Sequence, residues 1–214
     1  MSGEKFWNRM AKRYIAGPIA DPAIYDEKLA RTRACFTPDT TLFEFGCGSG
    51  MTARKHARHV KTVTAIDYSL AMIAHARDAA KTEGITNISF ETGSLERWPG
   101  SQRFDIVMRM SILHLLPDRP RALDKIMTLL KPGGLFISST TCLGPRSVLR
   151  PLMALPAALG LLPKVGFITA DQLKAEMTTA GLTILSHWQP KPRAAHFIIA
   201  MKPGNDAHVI QPKA

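Results

Sequence analysis

The chain reads as short apolar runs separated by longer amphipathic ones. Runs at 40–45 (TTLFEF), 62–67 (TVTAID), 87–92 (NISFET), 104–110 (FDIVMRM) and 135–141 (LFISSTT) are rich in β-branched and aromatic residues and bounded by turn formers. Most are too continuously apolar to keep one wet face, which predicts strands inside a parallel sheet. Helical stretches lie between them. The segment 69–84 is a helix with Ser69 as N-cap and Gly84 as its stop, and 119–134 (RPRALDKIMTLLKPGG) is a second that ends at Pro132. Strands alternating with such helices make crossover units, so the pattern predicts an α/β fold. Downstream, TADQLKAEMTTAG opens on Thr169 and Gln172, the pair of a capping box, and the apolar runs 183–188 and 196–201 suit a terminal hairpin. At the other end, EKFWNRMAKRYI sets Phe6, Trp7, Met10, Ala11, Tyr14 and Ile15 on one helical face and Lys5, Arg9, Lys12 and Arg13 elsewhere. That helix either docks its apolar face on the domain or lies on a membrane surface.

Composition narrows the class without choosing a function. A length of 214 residues with 45% hydrophobic and 21% charged content fits one globular domain with a sizeable core. The net charge of +11 attracts anionic partners of any kind, from nucleic acid to lipid headgroups to acidic small molecules. Three cysteines, Cys35, Cys47 and Cys142, have no C-x-x-C spacing, and no signal peptide is read at the N-terminus, so a cytoplasmic, reducing location is expected. No metal-ligating cluster stands out.

The first apolar run leads into the candidate chemistry. LFEFGCGSG, residues 42–50, carries a carboxylate at Glu44 and then glycines at 46, 48 and 50, a turn whose backbone N–H groups a ligand can approach closely. The dinucleotide pattern G-x-G-x-x-G needs a glycine at 51, where this chain has Met51, so only G-x-G-x-G is present. Asp67 closes the next run 17 positions after Gly50, near the offset at which an acidic side chain takes ribose hydroxyls. Glu44 repels a pyrophosphate and suits a ligand bearing an ammonium and a sulfonium.

These residues resemble the class I S-adenosylmethionine-dependent methyltransferases. FEFGCGSG is similar to the first motif of that family and AIDYS to its second acidic position. GSLERWPGSQRFDIVMRMSILHLLPD looks like its third and fourth strand ends, and LLKPGGLFIS like its helix-to-fifth-strand turn, so the likeness covers about residues 40–142. The resemblance implies a Rossmann-like three-layer sandwich with a mostly parallel seven-stranded sheet and an antiparallel C-terminal strand. It implies S-adenosyl-L-methionine as cofactor and S-adenosyl-L-homocysteine as product. Carried over by position, Gly46, Cys47, Gly48 and Gly50 form the cofactor loop, Glu44 orients the amino end and Asp67 holds the ribose. Tyr68 and Met72 flank the adenine, Leu95 offers its backbone to the ring edge, and Arg109 and Met110 contact the methionine end. Ser111 faces the substrate side, and Tyr14 resembles an N-terminal aromatic that closes over the cofactor. Ser94 stands where the family often has Asp, so the hydrogen bond to the adenine amino group falls to a hydroxyl or a water.

Plainer alternatives stand beside these roles. The glycines serve as tight-turn geometry alone, Glu44 and Asp67 as solvated strand-end carboxylates, and Tyr68 and Met72 as core. Cys47 has no basic neighbour in sequence and reads as a small turn residue rather than a nucleophile. His114, in ILHLL, is either a packed histidine or a general base at the substrate mouth. His56 and His59 follow the loop on a basic helix and read as solvent-facing.

For the acceptor the informative stretch is 143–167, which is uncharged from Pro151 to Pro163 but shorter than the roughly 20 residues of a membrane span and interrupted by prolines. It is a substrate lid, a shallow membrane contact rimmed by Arg146, Arg150 and Lys164, or extra core. The Asn/Asp-Pro-Pro-Tyr/Phe element and the Pro-Cys nucleophile that resemblance associates with nucleobase methylation are missing, which disfavours nucleic acid despite the charge. The expected organisation is one domain: an N-terminal helical cap (1–36), a cofactor-binding core (37–142), an apolar insertion (143–168), a C-terminal helix and hairpin (169–203) and a tail (204–214). The expected acceptor is a small hydrophobic molecule. A membrane aminophospholipid, with peripheral contact to anionic membrane, is the enzymatic alternative, and a non-catalytic S-adenosylmethionine-binding protein is the alternative of another class.

Overall fold

The computed structural model describes residues 2–110, 116, 118–144 and 166–204. Among them a seven-stranded sheet runs β3-β2-β1-β4-β5-β7-β6. Its strands are β1 (Thr41–Phe45), β2 (Thr62–Asp67), β3 (Ile88–Thr92), β4 (Phe104–Met110), β5 (Leu130–Thr140), β6 (Thr183–Trp188) and β7 (His196–Met201). Pairings from β3 through β5 are parallel, whereas β7 inserts antiparallel between β5 and β6. The central strands are buried on both faces, which is why they read as near-continuous apolar runs.

Six helices accompany the strands among the described residues: α1 (Ser2–Ala16), α2 (Pro22–Arg33), α3 (Met51–Ala57), α4 (Leu70–Thr82), α5 (Arg119–Leu129) and α6 (Ala170–Thr179). Two apolar layers form on the two sheet faces. Phe43, Phe45, Val107, Phe136 and Ile198 pack with α5 and α6 on one face. Leu42, Val63, Ala65, Ile106 and Ile137 pack with α3 and α4 on the other. Since β1 leads to β2 in one direction and β4 to β5 in the other, the strand order reverses between β1 and β4. In open α/β sheets ligands bind beyond the carboxyl ends of the strands at such a switch point.

Local signals account for the helix starts. Asp21 accepts the N–H of Ile24, Ser69 that of Met72, Asp118 that of Arg121, and Thr169 and Gln172 form the expected capping box. One boundary differs from expectation. The helix predicted to reach Pro132 stops at Leu129, and Leu130 already pairs with Phe104 before a register shift brings Leu135 opposite Ile106. The extra residues form a bulge that long-range contacts hold. Lys131 pairs with Asp105 at 2.8 Å, Lys202 exchanges backbone hydrogen bonds with Gly133 and Gly134, and a β-carbon on Gly134 would lie 2.9 Å from the Lys131 carbonyl oxygen. The Lys202 ammonium also donates to the carbonyl oxygens of Met127 and Leu130, closing the end of α5.

His56 is a second correction: it is fully buried rather than solvent-facing, with its ring edge-on to Phe36 at 5.0 Å, whereas His59 is exposed. No described helix is long and apolar enough to cross a membrane. Most of the apolar insertion and of the tail, together with Ser111 and His114, lies outside the described residues.

Candidate functional site

The glycine turn sits at the carboxyl end of β1, on the switch point. Gly46, Gly48 and Gly50 all have positive φ, at 66°, 54° and 68°, a backbone that side chains rarely adopt. The turn is tied down at several places. Cys47 N–H donates to the Ile66 carbonyl oxygen and Gly50 N–H to that of Cys47, both at 3.0 Å. Arg54 donates to the Ser49 carbonyl oxygen at 2.7 Å while it pairs with Glu83. Gly50 has a packing duty of its own: a β-carbon there would lie 2.5 Å from the Phe90 ring and 2.8 Å from Ala76 Cβ.

Two carboxylates converge below this turn. One Asp67 oxygen accepts Gly48 N–H at 3.0 Å and the other accepts Ser69 N–H at 2.9 Å, so Asp67 joins the glycine turn to the cap of α4. Burial raises its pKa, opposed by those N–H groups and by Arg109. Glu44 is only 2% exposed and its Oε2 has no hydrogen-bond partner. Burial first and the Asp67 charge second push its pKa up to about 8. Cys47 is also buried, and burial with the two carboxylates raises its thiol pKa well above the ordinary value. A thiol so held is no nucleophile, in accord with its sequence context.

The N-terminal helix supplies a roof. Asn8 Oδ1 accepts from Ser69 Oγ at 2.6 Å and from Ala71 N–H at 3.4 Å, which docks α1 on the start of α4. Six residues further along, Tyr14 extends over the glycines: a β-carbon on Gly48 would lie 3.7 Å from its Cε1. Tyr14 is 55% exposed, and its ring packs edge-on with Trp7. Desolvation, then Asp67 and Glu44, raise its pKa. Tyr14, Glu44, Gly48 and Asp67 therefore share one electrostatic neighbourhood although they come from distant parts of the chain.

The remaining predicted residues spread around it. Tyr68 is half-buried beside Asp67, with burial and that carboxylate raising its phenol to about 12, and Met72 is buried in the first turn of α4. Ser94 precedes a 3-10 turn, Leu95–Arg97, without capping it through its side chain, and Leu95 is buried. Arg109 is buried on the opposite sheet face from Glu44, with its guanidinium 4.6 Å from the Phe45 ring centroid. Burial lowers its pKa to about 10 against the fields of Glu96, Tyr68 and Asp67. Met110 is partly buried at the end of β4.

Other residues here escaped the sequence reading. Asn8 had no motif to mark it. Tyr25 on α2 bonds to Thr52 at 3.2 Å and feels the Glu44 charge. Ser138, Ser139 and Thr140 end β5 with fully buried hydroxyls that have no hydrogen-bond partner. Their polar run at the end of an apolar strand was the available signal. Asp21, at the start of α2, pairs with Lys191 of the β6–β7 loop at 2.6 Å and so links two elements beside the strand ends.

This arrangement fits a cofactor with a cationic amino-acid end. It offers a buried carboxylate with an orphaned oxygen, a second carboxylate for hydroxyls, and glycines that leave space beneath an aromatic roof. A diphosphate would instead meet the Asp67 carboxylate and a second acidic side chain.

Comparison with known proteins agrees. A family profile described as "Methyltransferase domain" matches residues 42–134. The ubiquinone biosynthesis O-methyltransferase of Coxiella burnetii (strain RSA 331 / Henzerling II) is 29% identical over 159 residues, 70% of this chain and 68% of the relative. The protein of the same name from Acinetobacter baumannii (strain AYE) is 30% identical over 150 residues, 67% of this chain and 63% of the relative. Among solved structures, DhpI in complex with S-adenosylhomocysteine superposes with a TM-score of 0.72 at 19% identity, covering 96% of this chain and 97% of its own. The N-methyltransferase NodS of Bradyrhizobium japonicum WM9, in complex with S-adenosyl-l-homocysteine, does so at 0.69 and 18%, covering 92% and 99%.

Proposed function

We propose that the chain is a class I S-adenosylmethionine-dependent methyltransferase and, on that premise, that it methylates a hydroxyl oxygen of a small hydrophobic molecule. The observation that carries the choice of oxygen is the similarity to two O-methyltransferases over most of the chain. The hydrophobic character of the acceptor is supported by the uncharged stretch from Pro151 to Pro163.

The cofactor supplies a methyl group already activated on a sulfonium, so the chain has to align, shield and neutralise. In the proposed arrangement Gly46, Cys47, Gly48 and Gly50 hold the methionyl part, and Glu44 holds the ammonium. Asp67 takes the ribose hydroxyls with the lone pairs not used by Gly48 and Ser69. Tyr68, Met72, Ser94 and the Leu95 backbone surround the adenine, and the Arg109 and Met110 backbone borders the methionine end. Tyr14 covers the turn and excludes water. Transfer breaks the carbon–sulfur bond, forms a carbon–oxygen bond and releases the hydroxyl proton. His114, shortly after β4, is assigned as the base that takes it.

A donor labelled in its methyl group, incubated with the enzyme and an apolar extract, tests this by mass spectrometry of the labelled product. A labelled methyl ether is expected, formed with an equal amount of S-adenosylhomocysteine. A labelled polymer or a methylated amine headgroup would overturn the choice of acceptor, and the second would return the aminophospholipid alternative. Absence of any product would favour a non-catalytic cofactor-binding protein.

A further inference from the structure

The two carboxylates under the glycine turn are not equivalent. Each Asp67 oxygen accepts a backbone N–H, from Gly48 and Ser69, and Asp67 also feels Arg109. Glu44 lies as deep but leaves Oε2 without any donor. The titratable groups that feel the Glu44 charge are Asp67 on β2, Cys47 in the turn, Tyr14 on α1 and Tyr25 on α2. Among the described residues all four are neutral or negative, so none of them repays the burial of a second anion. A buried carboxyl in that position keeps its proton until a cation arrives. Burial and Asp67 place its pKa at about 8, consistent with that geometry.

We propose that Glu44 is protonated in the cofactor-free protein and releases its proton to solvent when the ammonium of the cofactor enters, so that cofactor binding is a proton exchange. The inference rests on the assignment of this turn as the S-adenosylmethionine site. The glutamic acid becomes a glutamate only against a matched positive charge, and its proton leaves to bulk water. The neutral acid lets the site exist without an unpaired buried anion, and the ionised form orients the amino end. A ligand that lacks an ammonium leaves the proton in place, so the exchange helps to select an amino-acid-bearing nucleoside. Affinity then rises with pH, by about tenfold per pH unit where the free form is protonated and the bound form ionised. The gain stops as pH approaches the value at which Glu44 ionises without help.

Titration calorimetry with S-adenosylhomocysteine, which carries the same amino-acid end and is not turned over, reads the exchange directly. Run at about pH 6.5 in buffers of different ionisation enthalpy, the observed heat should vary with the buffer as expected for about one proton released per cofactor bound. Glu44→Gln should bind with almost no proton release and with affinity nearly independent of pH. The wild-type buffer dependence and pH slope need no variant, so the test survives a Glu44→Gln protein that fails to fold. Binding by the wild type without proton release would overturn the proposal, as would an equal release from Glu44→Gln. No binding at all would overturn the site assignment beneath it.

Discussion

At the scale of single residues the fold accepts unpaired polar groups, and His56 carries the clearest consequence. Its imidazole is fully buried on α3 against Phe36, both ring nitrogens lack hydrogen-bond partners, and Arg33 and His59 add positive charge nearby. Burial first, then those charges, lower its pKa to about 3, from an ordinary 6.5. The folded state therefore binds the proton more weakly than the unfolded chain. Stability from this site is complete above about pH 6.5 and is lost as pH falls from there toward 3, at about 1.4 kcal/mol per pH unit. His56→Leu should flatten that acid limb in urea unfolding midpoints measured from pH 7 to 4, and an unchanged slope would remove His56 from the account. Its burial was not legible from the sequence, because a histidine among Arg54, Lys55 and Arg58 looks solvated until Phe36 is known to cover it. The placement of Glu44 and Asp67 beside the glycine turn was legible because their positions relative to three glycines carry the information. Asn8 was not, since its partner Ser69 is set by the docking of α1.

At the scale of elements, the turn and its flanking helices act as one packed unit. Gly50 caps α3 in a left-handed conformation and leaves no room for a methyl group against Phe90 and Ala76. Gly48 borders the open space under Tyr14 instead. The two glycines therefore sit differently within one motif: Gly50 is closely packed, whereas Gly48 leaves space beneath Tyr14. Gly50→Ala should destabilise the domain by about 1–3 kcal/mol through overpacking and strain, read as a lower denaturation midpoint even without cofactor. An undisturbed midpoint would contradict the packing role. Most elements were legible because caps and apolar periods agree with the tertiary structure, as at Ser69 and Thr169. The start of β5 was not. A proline normally marks a helix end, yet here Leu130 and Lys131 are drawn into the sheet by Phe104, Asp105 and Lys202, contacts that no local pattern announces.

At the scale of the whole molecule, strand order decides where the chemistry sits. Reversal between β1 and β4 opens the carboxyl edge of the sheet, and α1 folds back across that edge so that Tyr14 meets the glycine turn. The α/β class and the parallel core followed from the apolar runs, and the antiparallel C-terminal strand from the family resemblance, whereas the insertion of β7 between β5 and β6 was signalled by neither. The net charge of +11 draws anionic ligands toward the molecule, but the site itself holds two acidic side chains. Long-range attraction and local recognition thus have opposite signs, and local recognition selects the cofactor. Calorimetric titration of the whole chain with S-adenosylmethionine and, separately, with NAD tests this most directly. The account predicts saturable binding of S-adenosylmethionine and no comparable binding of NAD; tight NAD binding with none of S-adenosylmethionine would contradict it.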